Sequence, residues 1–247
     1  MITKCLNCNS DVQNNFCSVC GQKASTHRYS LQHFFVHDLV HGVFHFDKGF
    51  FYTLKELFIR PGHSIREYIE GKRINHFNYF SFALIILVLS HYLKGFSSIE
   101  TNELYNNVDR ISGYQKVAKD YYKILAFTGI PLLSLASYFI FKRSKQNYTE
   151  HLIMNVYRMS VGSIILTIFY IITIFYNNME VLDILFDTIG FIDIAYSAWF
   201  FYQYFSVFSY KKRGLIIRSI VTSIVVVLIN NGLMRYIVNE IGKQFFK

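Results

Sequence analysis

Five stretches of this chain contain no Asp, Glu, Lys or Arg: residues 74–93, 124–141, 159–179, 194–210 and 219–234. A helix rises about 1.5 Å per residue, so roughly 17 to 25 apolar residues cross a hydrocarbon core of about 30 Å. The last two stretches are short. Residues 188–192 lengthen the fourth, and residues 215–218 lengthen the fifth if Arg218 snorkels to the surface. The expected fold is therefore all-α, a polytopic membrane helix bundle of about five spans. Composition agrees with lipid as solvent: 52% of residues are hydrophobic and only 17% charged, against about 25% charged in an average globular chain. With 25 Phe and 19 Tyr against 2 Pro, the chain is not disordered, collagen-like or a disulfide scaffold. The first residues are polar, so no cleaved signal peptide is expected and the first span acts as an uncleaved anchor.

Orientation follows from the cations that flank the spans. Lys72 and Arg73 precede the first; Lys142, Arg143 and Lys145 lie between the second and third; Lys211, Lys212 and Arg213 lie between the fourth and fifth. All fall on one side. On the other, the turn between the third and fourth spans carries Glu180, Asp183 and Asp187, and residues 94–123 mix five basic with four acidic residues. The expected topology is bacterial inner membrane, multi-pass, with the N-terminus cytoplasmic and the C-terminus outside. The net charge of +9 is then topology plus attraction to anionic lipid, and no nucleic-acid partner is needed to explain it.

One motif carries definite chemistry. Cys5, Cys8, Cys17 and Cys20 are the only cysteines and read CxxC, eight residues, CxxC. Two such turns present four thiolates as the closed tetrahedral cage that Zn²⁺ takes in structural sites. Gly21 suits the tight turn after Cys20, and Asn9 holds the equivalent place after Cys8 because Asn tolerates a left-handed backbone. About twenty residues bury no core, so the metal has to supply folding free energy on the order of 10 kcal/mol. Disulfides or a thioredoxin-like redox pair fit a reducing cytoplasm poorly. Iron in the same cage is not distinguished by spacing. Four thiolates leave no open position for water, so the expected cofactor is structural zinc, not a catalytic metal.

The text CLNCNSDVQNNFCSVCGQK, then THRYSLQHFF, FHFDKGFFYTLKELFIRPG and EYIEGKRINHFN, together resemble an uncharacterised bacterial family of integral membrane proteins. Members begin with a zinc ribbon and continue with a PG, EYI and GKR signature. The resemblance covers about the first eighty residues, and beyond them only the multispan character agrees; where members often carry a proline shortly after GKR, this chain reads Asn78 and Tyr79. What it implies is a ribbon joined to a membrane bundle, with no established activity.

Between ribbon and spans, Ser30 is the expected N-cap of a helix over residues 31–46, with Phe35, Val36, Leu39, Val40 and Val43 on one face. His33, His37, His41 and His45 recur every fourth residue on the other, with Asp38 beside them. Three readings compete: the polar face of an interfacial helix, a metal site, or a charge that strengthens lipid attachment as pH falls through about 6.5. Residues 50–60 resume the pattern until Pro61 and Gly62 stop it; Ser64 and Glu67 have capping-box spacing for a short helix over residues 65–70, closed at Gly71. The chain thus divides into a ribbon (1–25), amphipathic interfacial helices lying along the cytoplasmic surface (26–73) and a transmembrane bundle (74–247).

Charges at membrane depth are candidates for function. Arg158 and Arg218 lie within snorkelling reach of the cytoplasmic face. Asp193 and Arg235 sit at about 26 and about 32 Å from the cytoplasmic ends of their spans, where they form a structural pair or, with Asp183 and Asp187, line an outward vestibule. Asn230, Asn231 and Gly232 mark a break near the outer end of the fifth span. No catalytic set is complete. The expected role is a non-enzymatic accessory, scaffold or regulatory component that contacts the lipid bilayer and captures a protein partner through its ribbon. A small transporter or channel is one alternative, and a metal-dependent membrane enzyme using His33, His37, His41 and Asp38 the other.

Overall fold

Helix starts follow local capping chemistry. The computed structural model describes residues 3–31, 48–97, 99, 128–229, 236, 237, 240 and 244. A hairpin of β1 (Thr3–Lys4) and β2 (Asp11–Val12) pairs antiparallel, Thr3 opposite Val12. Then come α1 (Lys48–Ile59), α2 (Pro61–Glu70), α3 (Tyr79–Lys94), α4 (Thr128–Ile140), a 3₁₀ turn (Lys142–Ser144), α5 (Tyr148–Phe175), α6 (Met179–Phe205) and α7 (Lys212–Val227). The Asn78 side chain accepts the amides of Phe80 and Ser81 at the start of α3. Asn147 and Glu150 close a reciprocal capping box on α5.

The described fold is mostly helical, and two helices, α5 and α6, are long and apolar enough to cross a membrane. α3 and α4 are apolar but shorter. α3 packs along α5, α7 along α6, and α2 crosses α6 near its C-terminal end. The core is strongly aromatic, with Tyr79, Phe82, Phe141, Tyr157, Phe200, Phe201, Tyr204 and Phe205 all under 2% exposed.

Four expectations change. α1 stops at Ile59, before Pro61 and Gly62, as expected, but the next helix starts at Pro61 instead of residue 65, because the missing N–H of a proline is an orphan in a first turn anyway. Gly62 is a point of close approach: a Cβ there would stand 2.3 Å from the Tyr204 nitrogen and 2.4 Å from the Phe200 carbonyl oxygen. Its amide donates to the Gln203 side chain at 3.2 Å, and Arg66 donates to the Gln203 and Tyr204 carbonyls at 3.4 Å, satisfying the last turn of α6. α1 and α2 each have two faces: Leu57, Ile65 and Ile69 are buried in the bundle, while Phe51, Phe58 and Ile59 remain exposed. Ser64 is no N-cap but a buried helical residue, bonded to His76 Nε2 at 2.8 Å.

Second, α5 begins at Tyr148, well before residue 159, and carries Glu150 and Arg158 in its buried length. A charge-free window misplaces such a helix because a paired charge is compatible with burial. Third, Glu180, Asp183 and Asp187 belong to the first half of α6, not to a turn. Fourth, Arg158 does not snorkel. The expectation of closure at Gly71 holds, with φ 115 and the amides of Gly71 and Lys72 returning to Tyr68 and Glu67. The histidine face with Asp38, the break at Asn230 to Gly232, and Arg235 lie outside the described residues.

Candidate metal centre

The two cysteine turns are built alike. The Cys5 amide donates to the Ser10 carbonyl and the Asn9 amide to the Cys5 carbonyl, each at 2.9 Å; the second turn repeats this with Cys17 to Gln22 at 2.8 Å and Gly21 to Cys17 at 2.9 Å. Asn9 and Gly21 occupy matching positions with φ of 63° and 77°, the left-handed backbone expected of them. The hairpin β1–β2, held also by a Lys4–Asp11 ion pair at 2.7 Å, closes around the first turn, and a Phe16–Lys23 bridge closes around the second.

The result brings all four sulfurs within 4.8 Å of one another. Cys5 and Cys20 approach to 3.6 Å, and Cys8 and Cys17 to 3.5 Å. Thiolates at about 2.3 Å from one central ion stand about 3.8 Å apart in a regular tetrahedron, and a disulfide needs about 2.05 Å. The spacing is that of a cage, not of two bridges, and all four cysteines are free. Four cysteines here can hold a metal ion; softness of the donor set suits zinc, iron or copper(I) over calcium or magnesium.

Ser10 is the site residue that spacing did not reveal. Its hydroxyl lies 2.9 Å from Cys8 Sγ and 3.0 Å from Cys17 Sγ. That hydrogen bond lowers the Cys8 thiol and, with the amides near Cys20 and Val19, holds Cys17 down to about 6. The amide at Gln22 lowers Cys20, but burial and the neighbouring Cys8 and Cys5 sulfurs outweigh it and push that thiol up to about 11. A serine between two CxxC pairs is a weak sequence signal, legible only once the hairpin sets its direction.

The ribbon rests on the turn between α2 and α3, and that turn lies inside the part of the chain that other sequences share. Residues 47–90 are similar to a family described as a protein of unknown function (DUF3667). No curated protein and no solved structure matches the chain. The DUF3667-like segment is α1, α2 and most of α3; it supplies the floor under the ribbon and leaves out the cysteines themselves.

The other singled-out charges fall elsewhere. Arg158, with 3% of its side chain exposed, pairs with Asp193 and donates to Ser197 Oγ at 2.8 and 2.6 Å. Asp193 thus meets α5 at mid-bundle, and Gly162 leaves room for it: a Cβ there would lie 3.1 Å from Asp193 Oδ1. Asp183 is half-buried and Asp187 exposed, without joining that pair among the described residues. A second buried polar group joins α4 to α5, where Ser137 Oγ meets His151 Nδ1 at 2.9 Å and Asn155 Nδ2 lies 3.1 Å from Ser137 Oγ.

Proposed function

We propose that this chain is a five-span protein of the bacterial inner membrane whose ribbon, held by one structural zinc on Cys5, Cys8, Cys17 and Cys20, is the cytoplasmic docking element of a non-enzymatic scaffold or accessory component. In this reading residues 1–25 are the ribbon, 26–73 the interfacial layer and 74–247 the spans, with the C-terminus outside. The observation that carries it is the placement of the sulfur cage at the same end of the bundle as the basic loops. Arg28 reaches the Lys145 carbonyl at 3.0 Å, Arg73 meets Gln22 at 3.0 Å, and Tyr210, next to Lys211 and Lys212, stands edge-on to Phe141 beside Lys142. Cations gathered at one end mark a cytoplasmic face. Exposed Phe175, Ile184, Phe191, Ile217 and Leu228 suit lipid contact. On the ribbon, Phe16 and Val19 are 55% and 72% exposed, an apolar pair flanking Cys17 that suits a protein partner.

The test has three readouts. Elemental analysis of the purified chain is expected to give one zinc per polypeptide, lost in Cys5→Ser with Cys8→Ser. An impermeant thiol reagent on intact cells is expected to leave the ribbon cysteines unlabelled; labelling would overturn the topology. Proteins co-purifying in mild detergent are expected to be lost in Phe16→Ser with Val19→Ser, and an unchanged set would remove the docking role.

A further inference from the structure

Each cysteine turn sends one side chain to the same point on the bundle. Leu6, inside the first CxxC, packs over Gly71, where an added Cβ would stand 2.7 Å from Leu6 Cδ1. Gln22, just past Cys20, accepts the Arg73 amide at 3.0 Å through its side chain, while its carbonyl is held by the Cys17 amide. Both contacts land on the α2–α3 turn. From the ribbon the chain runs on through His27, whose carbonyl accepts from Arg73 Nη2 at 2.8 Å. The Arg73 guanidinium lies 3.7 Å over the Tyr29 ring, and the Tyr29 hydroxyl donates to that of Tyr68 at 2.8 Å.

The same strap ends at the start of α5. Arg28 forks onto the Glu150 carboxylate at 2.5 and 2.7 Å, and the Asn147 side chain donates to the Tyr29 carbonyl at 2.9 Å. Asn147 and Glu150 are the two members of the α5 capping box. Glu150 is 4% exposed, so without Arg28 a buried carboxylate keeps, among the described residues, the Asn147 amide as its donor. The ribbon has almost no core of its own: Cys5, Val12 and Cys17, with Cys20 packed against them. Its shape therefore depends on whatever joins the sulfurs.

We infer that the metal-loaded ribbon is a clasp: the ion sets Leu6 and Gln22 on the α2–α3 turn, and residues 27–29 carry that setting to the capping box of α5. Metal loss then loosens one end of the helix bundle as well as the ribbon. This rests on the metal reading proposed above, and the two fail differently. The experiment is hydrogen exchange followed by mass spectrometry on the full-length chain in mild detergent, zinc-loaded and after chelation, with zinc content measured on the same samples.

Chelation is expected to raise exchange at residues 3–26, and also at 61–77 and at the first α5 amides after the capping box, on the order of tenfold there. Arg73→Ala, with Arg73→Lys as the milder change, is expected to loosen 61–77 and the α5 start while zinc stays bound and the ribbon stays protected. A chain that purifies without zinc and takes none up overturns the metal reading and the clasp with it. A zinc-bound chain whose change on chelation stops at residue 31 overturns the clasp alone, as does an Arg73→Ala chain that exchanges like the parent.

Discussion

The ribbon and the bundle are held together in opposite ways. In the ribbon the buried apolar set is three residues, and its order comes from four sulfurs and a repeated pair of amide turns. In the bundle a continuous hydrophobic core, rich in aromatics, joins α1 to α7, with Phe141 stacked on Phe205 at 3.7 Å between ring centres. A structure organised around one point loses everything when that point goes. One organised by distributed contacts loses stability in instalments.

The largest effect tests that contrast directly. With the metal proposed above on the four sulfurs, Cys8→Ser with Cys17→Ser is expected to remove folding free energy on the order of 10 kcal/mol from the ribbon. Limited proteolysis is expected to cut within residues 3–26, while the helices of the bundle keep their signal by circular dichroism. Loss of helicity throughout would mean the two regions are one cooperative unit.

Next comes the buried pair. Arg158→Ala leaves Asp193 without its guanidinium, and breaking a buried pair costs about 3 to 5 kcal/mol, less here because a quarter of the Asp193 side chain is exposed. Thermal unfolding in detergent is expected to shift down, and Arg158→Met combined with Asp193→Leu to recover most of the loss. No recovery would show that the pair has a role beyond neutralising its own charges.

Gly62→Ala is the distributed counterpart. The added methyl meets backbone, not a flexible side chain, so α2 and α6 have to move apart, at about 1 to 3 kcal/mol. A variant with parental stability would show that this crossing has slack.

The smallest effect is a pH dependence at the bundle's edge. Burial pushes the Glu67 carboxyl up, but Arg60, with Lys72 and Arg66, outweighs it and holds the group below the usual carboxylate range. A depressed carboxyl contributes stability above its unfolded value and loses it as pH falls through the folded one. Glu67 is partly exposed, so the contribution is below about 1 kcal/mol. Glu67→Gln is expected to lower stability slightly at neutral pH and to flatten the fall in acid; an unchanged acid profile would assign that fall to other groups.

Legibility in the sequence tracks how local each cause is. The cysteine spacing, the left-handed positions Asn9 and Gly21, the closure at Gly71 and the apolar helices α3 and α4 depend on neighbours in the chain. Their chemistry is visible in a short window. The stop of α1 before Pro61 is local in the same way, whereas the close approach of α6 to Gly62 in the first turn of α2 is a tertiary fact. Arg158 differs for a related reason: distance from a helix end suggests snorkelling, but a carboxylate 35 residues away makes burial the better outcome.

The chain alone therefore determined its helical class, its long apolar helices and the four sulfurs that can share an ion, because periodicity, charge depletion and short spacing act through adjacent residues. Tertiary structure alone decided that Ser10 joins the sulfurs, that Arg28 reaches Glu150 across 122 positions, and that the ribbon lies on the α2–α3 turn. Those contacts bring together groups whose separation along the chain carries no trace of their meeting, and close packing and charge pairing select them only once the helices have assembled.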